Sequence, residues 1–170
     1  MPEDQDTLES ARIGVGERNF MPSAKTNCFV DTNVIVYTVD PGEPEKRAQA
    51  TDLLESMMIS HALILSPQSL NECYRIITDR RKLMSRVAAR RFIGSLSSYC
   101  TAPLGYEVTR RAWHIQDATN FVWWDCMLLS SAMLAGAEYF LSEDLQHGRQ
   151  LEGMTILNPF LLDPPHHHLF

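Results

Sequence analysis

Short apolar runs alternate with longer amphipathic segments along the central part of the chain. Apolar runs at residues 28–30, 62–66, 137–142 and 154–158 predict strands. Between them, apolar residues recur every three or four positions, which predicts helices over 45–59, 69–78, 106–119 and 122–135, and one more after Ser85. Alternating strands and helices favour right-handed βαβ units. The pattern therefore predicts an α/β fold, a three-layer α/β/α sandwich with a mostly parallel central sheet.

Weaker signals complete this outline. Ser66 followed by Pro67 predicts a helix start, residues 99–101 predict a weak strand, and a polar turn with Gly148 and a short helix are expected between the last two strands. Residues 1–26 mix Gly, Pro and charge without a period, which predicts a disordered leader in which Met21 is an alternative start. We expect one domain over 27–160, followed by a solvated tail over 161–170 that contains a histidine tract.

Composition narrows the class of protein. The chain has 170 residues, 45% of them hydrophobic, enough for one domain with an ordinary core. Its four cysteines are scattered without a CxxC pair, which favours reduced thiols in a cytoplasmic protein. No apolar run approaches the roughly 20 residues of a membrane span, and the N-terminus lacks the apolar core of a signal peptide, so no membrane partner is expected.

Carboxylates fall where the predicted strands end. Asp31 interrupts CFVDTNVIVY, a run that otherwise has the composition of a buried strand, and a buried charge needs a partner. Glu72, Asp125 and Asp144 are expected near the same carboxyl-terminal edge of the sheet, where ligands of open parallel sheets bind. Such oxygen-rich sites favour Mg²⁺ or Mn²⁺, which can activate water for phosphodiester hydrolysis.

Each carboxylate also has a structural interpretation. Asp31 and Asp144 could cap turns, and Asp125 could serve only the helix dipole. Glu72 follows Ser69 by three residues, the spacing of a capping box. The expected shared edge, rather than any single residue, therefore carries the functional interpretation.

The same residues resemble a known family. A hydrophobic strand into DTNV, followed by SLNECYRI, WWDCMLLSSA and LSEDL, is similar to the PIN domain and, within it, to the VapC-like toxins of bacterial toxin-antitoxin pairs. The resemblance implies a Mg²⁺- or Mn²⁺-dependent endoribonuclease acting on single-stranded or looped RNA. It assigns metal binding and catalysis to Asp31, Glu72, Asp125 and Asp144.

The resemblance further implies supporting roles for Asn33 and Ser142, a homodimer, and a VapB-like antitoxin whose C-terminal segment enters the acidic groove. The chain departs from the family in its longer leader and in the LQHG that follows Asp144, where many relatives carry an aromatic residue. Glu143 and His147 therefore remain additional candidates for the site.

A basic sector lies within this acidic chain of formal charge -6, which excludes coating of nucleic acid by net charge alone. Between Glu72 and Arg111, nine Lys and Arg residues outnumber three Asp and Glu residues. The candidates for contacting an RNA backbone are Arg75, Arg80, Arg81, Lys82, Arg86 and Arg90. For these basic residues, a solvated helix surface and an antitoxin-binding surface are the alternatives. The three tryptophans could stack on bases, or they could pack in the core or at a dimer interface.

Two rival functions remain open. On a similar sheet Asp31 could be the nucleophile or phosphoacceptor of a phosphatase or phospho-receiver, although the expected second Asp is replaced by Asn33. The chain could also be a non-catalytic binding module that keeps the fold.

Overall fold

A five-stranded sheet forms the centre of the molecule, in a computed structural model that describes residues 26–162. Its strands are β1 (Cys28–Val30), β2 (Leu63–Ile64), β3 (Tyr139–Leu141), β4 (Gln150–Leu151) and β5 (Met154–Leu157). They lie in the order β2-β1-β3-β5-β4, and every neighbouring pair is parallel except β4 with β5. The prediction of a mostly parallel sheet is confirmed.

Helices connect and cover these strands. They are α1 (Thr32–Tyr37), α2 (Pro44–Ile59), α3 (Pro67–Arg75), α4 (Arg86–Ser95), α5 (Tyr106–Thr119) and α6 (Trp123–Leu134). A π-helical turn, Ile76–Arg80, continues α3, and short 3-10 turns occupy Ser97–Tyr99 and Pro159–Leu161. None of the helices between residues 26 and 162 combines the length and apolar character that a transmembrane helix needs.

The two faces of the sheet have separate cores. Cys28 and Val30 pack with α1 to α4 on one face, whereas Phe29 packs with α5 and α6 on the other. On that second face Phe29 stacks on Phe140, with ring centroids 5.2 Å apart. Because side chains alternate along a strand, these contacts place one helical layer on each face. The predicted three-layer sandwich is therefore confirmed.

Helix α1 was not predicted. Its sequence, TNVIVY, is rich in β-branched residues, which favour strands. Five of its six residues are buried, and Asp31 caps its start by accepting a hydrogen bond from the Thr32 N–H. Burial against α2 and α3 therefore overrides the weak local propensity.

Two further predictions were wrong. Residues 99–101 form no strand; the Tyr99 carbonyl and the Ala102 N–H instead each make one hydrogen bond to the backbone of Leu65. The short helix expected between the last two predicted strands does not form in residues 143–153; this segment instead contains strand β4, which forms a hairpin with β5. Both central turn residues, Glu152 and Gly153, have positive φ, as a tight two-residue hairpin requires.

The helix predicted over residues 69–78 begins and ends differently. Ser66 is the N-cap, as its pairing with Pro67 predicted, so α3 begins two residues before the predicted start. The α-helix ends at Arg75 and continues as the π-helical turn. Ser85 caps α4 as predicted, and all four cysteines are free. The predicted leader (1–26) and tail (161–170) lie outside the described residues except for 26 and 161–162.

Candidate active site

One cavity at the carboxyl-terminal edge of β1 and β3 collects all four predicted carboxylates. This acid cavity has a volume of about 360 Å³ and is lined by Asp31, Glu72, Asp125 and Asp144. They come from four separate segments: the β1–α1 junction, α3, the first turn of α6 and the bend after β3. The rest of the lining includes Thr32, Asn33, Tyr37, Arg80, Arg81 and Trp124.

Asp31 is the most buried of these carboxylates, with 8% of its surface exposed. Its Oδ1 accepts a hydrogen bond from the Thr32 N–H at 2.6 Å, and its Oδ2 accepts one from the Ser142 hydroxyl at 2.7 Å. Burial raises the pKa of Asp31 to about 7; these hydrogen bonds oppose the rise, and the charges of Asp125 and Asp144 add to it. The fold therefore holds Asp31 where its ionised form needs a positive partner.

Asn33 and Ser142, the two predicted supporting residues, form hydrogen bonds that join Asp31 to Asp144. The Asn33 Nδ2 donates to Asp144 Oδ2 at 2.9 Å and lies 3.3 Å from Asp31 Oδ2. The fully buried Ser142 also accepts a hydrogen bond from the Asp144 N–H at 3.1 Å. Helix α1 and the end of β3 therefore hold the two carboxylates in a fixed relation.

Two residues that the sequence analysis did not predict orient Glu72. The Thr32 hydroxyl donates to Glu72 Oε2 at 3.1 Å, and the Gln68 Nε2 donates to Glu72 Oε1 at 3.2 Å. Gln68 also donates to the Trp124 carbonyl, which ties α3 to the start of α6. Gln68 lies one helical turn before Glu72, and this spacing is the signal that identifies it. Because Ser66 is the N-cap, the capping box with Ser69 does not form.

Asp125 lies in the first turn of α6, where the helix dipole favours a negative charge. Burial nevertheless raises its pKa, and repulsion from Asp144 and Glu72 adds to the rise. Asp125 therefore lies close enough to Asp144 and Glu72 for their charges to disfavour its ionised form.

The two additional candidates, Glu143 and His147, are engaged elsewhere. Glu143 forms an ion pair with Lys46 and accepts a hydrogen bond from the Tyr37 hydroxyl at 2.6 Å. Although burial opposes the change, these two partners lower its pKa. The His147 Nδ1 accepts the Asn158 N–H at 3.0 Å, in a surface turn. Neither residue lines the acid cavity.

The predicted basic residues divide into three groups. Arg80 and Arg81 line the acid cavity, but Arg81 forms an ion pair with Asp40. Arg75 lines a neighbouring groove. The others are exposed and do not line the acid cavity: Lys82, Arg86 and Arg90.

A comparison with protein families decides the assignment. The family model of the PIN domain matches residues 28–150, which is most of the chain. The chain belongs to the PIN domain family. A comparison with curated proteins finds no match. Membership indicates a nuclease-type function in general, and PIN-domain nucleases generally use divalent metal ions.

Whether this PIN domain can hold a divalent ion depends on the side chains that line its acid cavity. Across residues 26–162, no three His, Cys, Asp or Glu side chains form a group that could hold a metal by themselves. Mg²⁺, however, keeps several waters and binds through one or two carboxylates. The buried Asn33 Oδ1 beside Asp31 has no hydrogen-bond partner among the described residues. Surplus negative charge and this vacant acceptor fit a hydrated divalent ion held by one or two carboxylates.

Proposed function

We propose that this protein is a metal-dependent endoribonuclease that hydrolyses phosphodiester bonds of single-stranded or looped RNA. One observation carries the proposal: four acidic side chains from distant segments line one cavity at the sheet edge. Two unit charges about 4 Å apart repel by about 4 kcal/mol at an effective dielectric near 20. A cavity lined by four carboxylates is therefore unfavourable without a counter-charge. A bound cation would supply that counter-charge.

The four carboxylates of the proposed site form two linked pairs. Asn33 and Ser142 join Asp31 to Asp144, and Gln68 joins Glu72 to the start of α6, where Asp125 lies. One or two of these carboxylates would hold Mg²⁺ or Mn²⁺ directly, and the others would contact the waters of the ion. When bound, the ion supplies Lewis acidity for activating water and for stabilising the leaving oxygen.

The cavity also provides a positive group for the substrate. Arg80 lines it from the π-helical turn, whereas the neighbouring Arg81 is held by Asp40. Of the two arginines that line the cavity, Arg80 is therefore the one whose guanidinium is placed to contact the phosphate backbone at the cavity mouth.

The phosphatase alternative fits this geometry poorly. The position of a second Asp is occupied by Asn33, whose amide donates to Asp144 and Asp31.

Within this function we further propose the role of a toxin in the cytoplasm, acting as a homodimer and neutralised by a VapB-like antitoxin. Support comes from the four motifs that resemble VapC-like toxins. Induction of the wild-type chain without a partner is expected to arrest growth, and induction of the Asp31→Asn variant is not. Equal growth with both chains would contradict the toxin role while leaving the nuclease open.

The nuclease is tested with the full-length protein and single-stranded RNA in Mg²⁺, Mn²⁺ or EDTA. Cleavage is expected only with metal, and Asp31→Asn or Asp144→Asn should abolish it. Glu143→Gln is the matched control, because Glu143 adjoins Asp144 in sequence but pairs with Lys46. Cleavage by folded Asp31→Asn would overturn the mechanism. RNA binding without cleavage by the wild-type protein would favour the non-catalytic binding module.

A further inference from the structure

A second depression adjoins the acid cavity. This side groove has a volume of about 480 Å³ and shares Glu72 and Trp124 with the acid cavity. Leu104 and Met127 add apolar surface to it, and Arg75 lies among its lining residues. The two depressions are therefore neighbours that meet at Glu72 and Trp124.

The three tryptophans occupy different environments. Trp123 packs partly buried against the core between α5, α6 and the sheet. Trp113 is 46% exposed and contacts Tyr106 edge-on, with ring centroids 6.2 Å apart. Trp124 is 60% exposed and is the tryptophan that borders both cavities. The structure thus separates Trp123, which packs against the core, from Trp124, which lines both depressions.

The backbone beneath Trp124 is fixed although its side chain is exposed. Trp124 is the second residue of α6, and its carbonyl accepts a hydrogen bond from Gln68 Nε2 at 3.2 Å. The same Nε2 donates to Glu72 Oε1. The tryptophan is therefore held in a defined relation to one of the proposed catalytic carboxylates.

We propose that the side groove binds a nucleobase of single-stranded RNA next to the scissile phosphate, with the base stacked on Trp124. Arg75, exposed within the basic sector, contacts the phosphate on that side. This inference rests on the proposed nuclease function, because continuity with the acid cavity identifies the occupant as RNA. Aromatic platforms bind bases with little sequence preference, since every base has a π face.

The expected size of the effect follows from measured stacking contributions. Removing such an aromatic platform weakens binding about 5- to 150-fold, equivalent to about 1 to 3 kcal/mol. A phenylalanine at the same position is expected to keep most of the affinity, because it preserves a stacking surface.

The test measures binding rather than cleavage. Full-length Asp31→Asn protein is titrated with single-stranded RNA oligonucleotides that each carry one abasic site at a different position. We expect one position next to the cut at which loss of the base weakens binding 5- to 150-fold. Adding Trp124→Ala should weaken binding of intact RNA by a similar factor and remove the effect of the abasic site at that position.

Trp113→Ala is the matched control, because it removes an exposed tryptophan that does not line either cavity. It should leave both the affinity and the abasic profile unchanged. The inference is overturned if Trp124→Ala weakens intact and abasic RNA equally, or if both tryptophan variants behave alike. An unchanged affinity in Trp124→Ala also overturns it, and an apolar peptide then becomes the occupant to test. Failure of the nuclease proposal shows separately, as absence of cleavage by wild-type protein that still binds RNA.

Discussion

Asp31 shows what a single residue reveals before the structure is known. A lone carboxylate in CFVDTNVIVY indicates a buried charge that needs partners, and the structure supplies them from Thr32, Asn33 and Ser142. Thr32 and Asn33 are local and could be anticipated. Ser142 lies 111 residues away, so its hydrogen bond to Asp31 depends on β1 and β3 pairing in parallel. The need for partners and the shared sheet edge could be predicted, whereas the atom that each partner offers to Asp31 depends on side-chain geometry and could not.

The burial of Asp31 leads to a prediction about stability and pH. Folding raises the Asp31 pKa from an ordinary 3.8 to about 7, so between these values the folded state binds more protons than the unfolded state. The free energy of unfolding of metal-free protein should therefore fall as pH rises through this window. Asp31→Asn removes the titration and should be more stable than wild type at pH 8, by on the order of a few kcal/mol, with the difference shrinking towards pH 5.

Urea denaturation in EDTA at the two pH values measures this difference. Asp52→Asn is the control, because Asp52 is an exposed carboxylate of α2 outside the acid cavity, and the net charge changes equally. A constant difference between Asp31→Asn and wild type at both pH values would show that the Asp31 carboxyl is not strained by burial.

At the scale of single elements, sequence patterns predict a helix start correctly where the residues at that start determine it. Ser66 and Pro67 mark the start of α3 because a hydroxyl cap and a fixed φ act within one turn. Helix α1 escaped prediction because its stability comes from burial against other helices. Residues 99–101 were wrongly predicted to be a strand. Two hydrogen bonds to the backbone of Leu65 hold this segment beside β2 without making it a strand.

The cap of α3 carries a prediction about stability. The Ser66 hydroxyl accepts the Ser69 N–H at 3.1 Å and also bonds the Ser69 hydroxyl at 3.0 Å, in a fully buried position. Ser66→Ala leaves two buried groups without a partner, so we expect a loss of about 2 kcal/mol in the free energy of unfolding. Ser85→Ala in the exposed cap of α4 is the control, with an expected loss of about 0.5 to 1 kcal/mol.

Chemical denaturation of both variants provides the measurement. Equal losses at the two caps would show that burial adds nothing to the Ser66 cap. Because α3 carries Gln68 and Glu72, Ser66→Ala is also expected to reduce cleavage more than Ser85→Ala does.

At the scale of the whole molecule, acidic and basic side chains lie in separate regions, which the net charge does not reveal. The chain has a formal charge of -6, yet the acidic cavity borders the basic sector through Arg80 and Arg81. Parallel topology explains why distant carboxylates meet, because β1 and β3 end at the same edge. The network of Tyr37, Lys46 and Glu143, which removes Glu143 from the site, depends on side-chain packing that periodicity does not encode.

The outer part of the basic sector carries the last prediction. Arg86 and Arg90 are exposed on α4, and Arg86 forms a long ion pair with Asp79, with 3.8 Å between Arg86 Nη2 and Asp79 Oδ1. Neither lines the acid cavity, so they can bind only RNA that extends beyond it. Replacing both by Ala should weaken binding of long single-stranded RNA, and the slope of log affinity against log salt should become shallower by about 1.4 if each contacts one phosphate.

Binding to Asp31→Asn protein at several salt concentrations measures this slope without cleavage. The control replaces Arg47 and Arg110 by Ala, which changes the net charge equally at exposed positions outside the acid cavity. Oligonucleotides too short to leave the cavity should bind both double variants with equal affinity. If both double variants lower the slope equally on long RNA, the effect reflects net charge alone. An RNA backbone that runs along α4 requires that the Arg86 and Arg90 variant lose more affinity than the control, and only for long RNA.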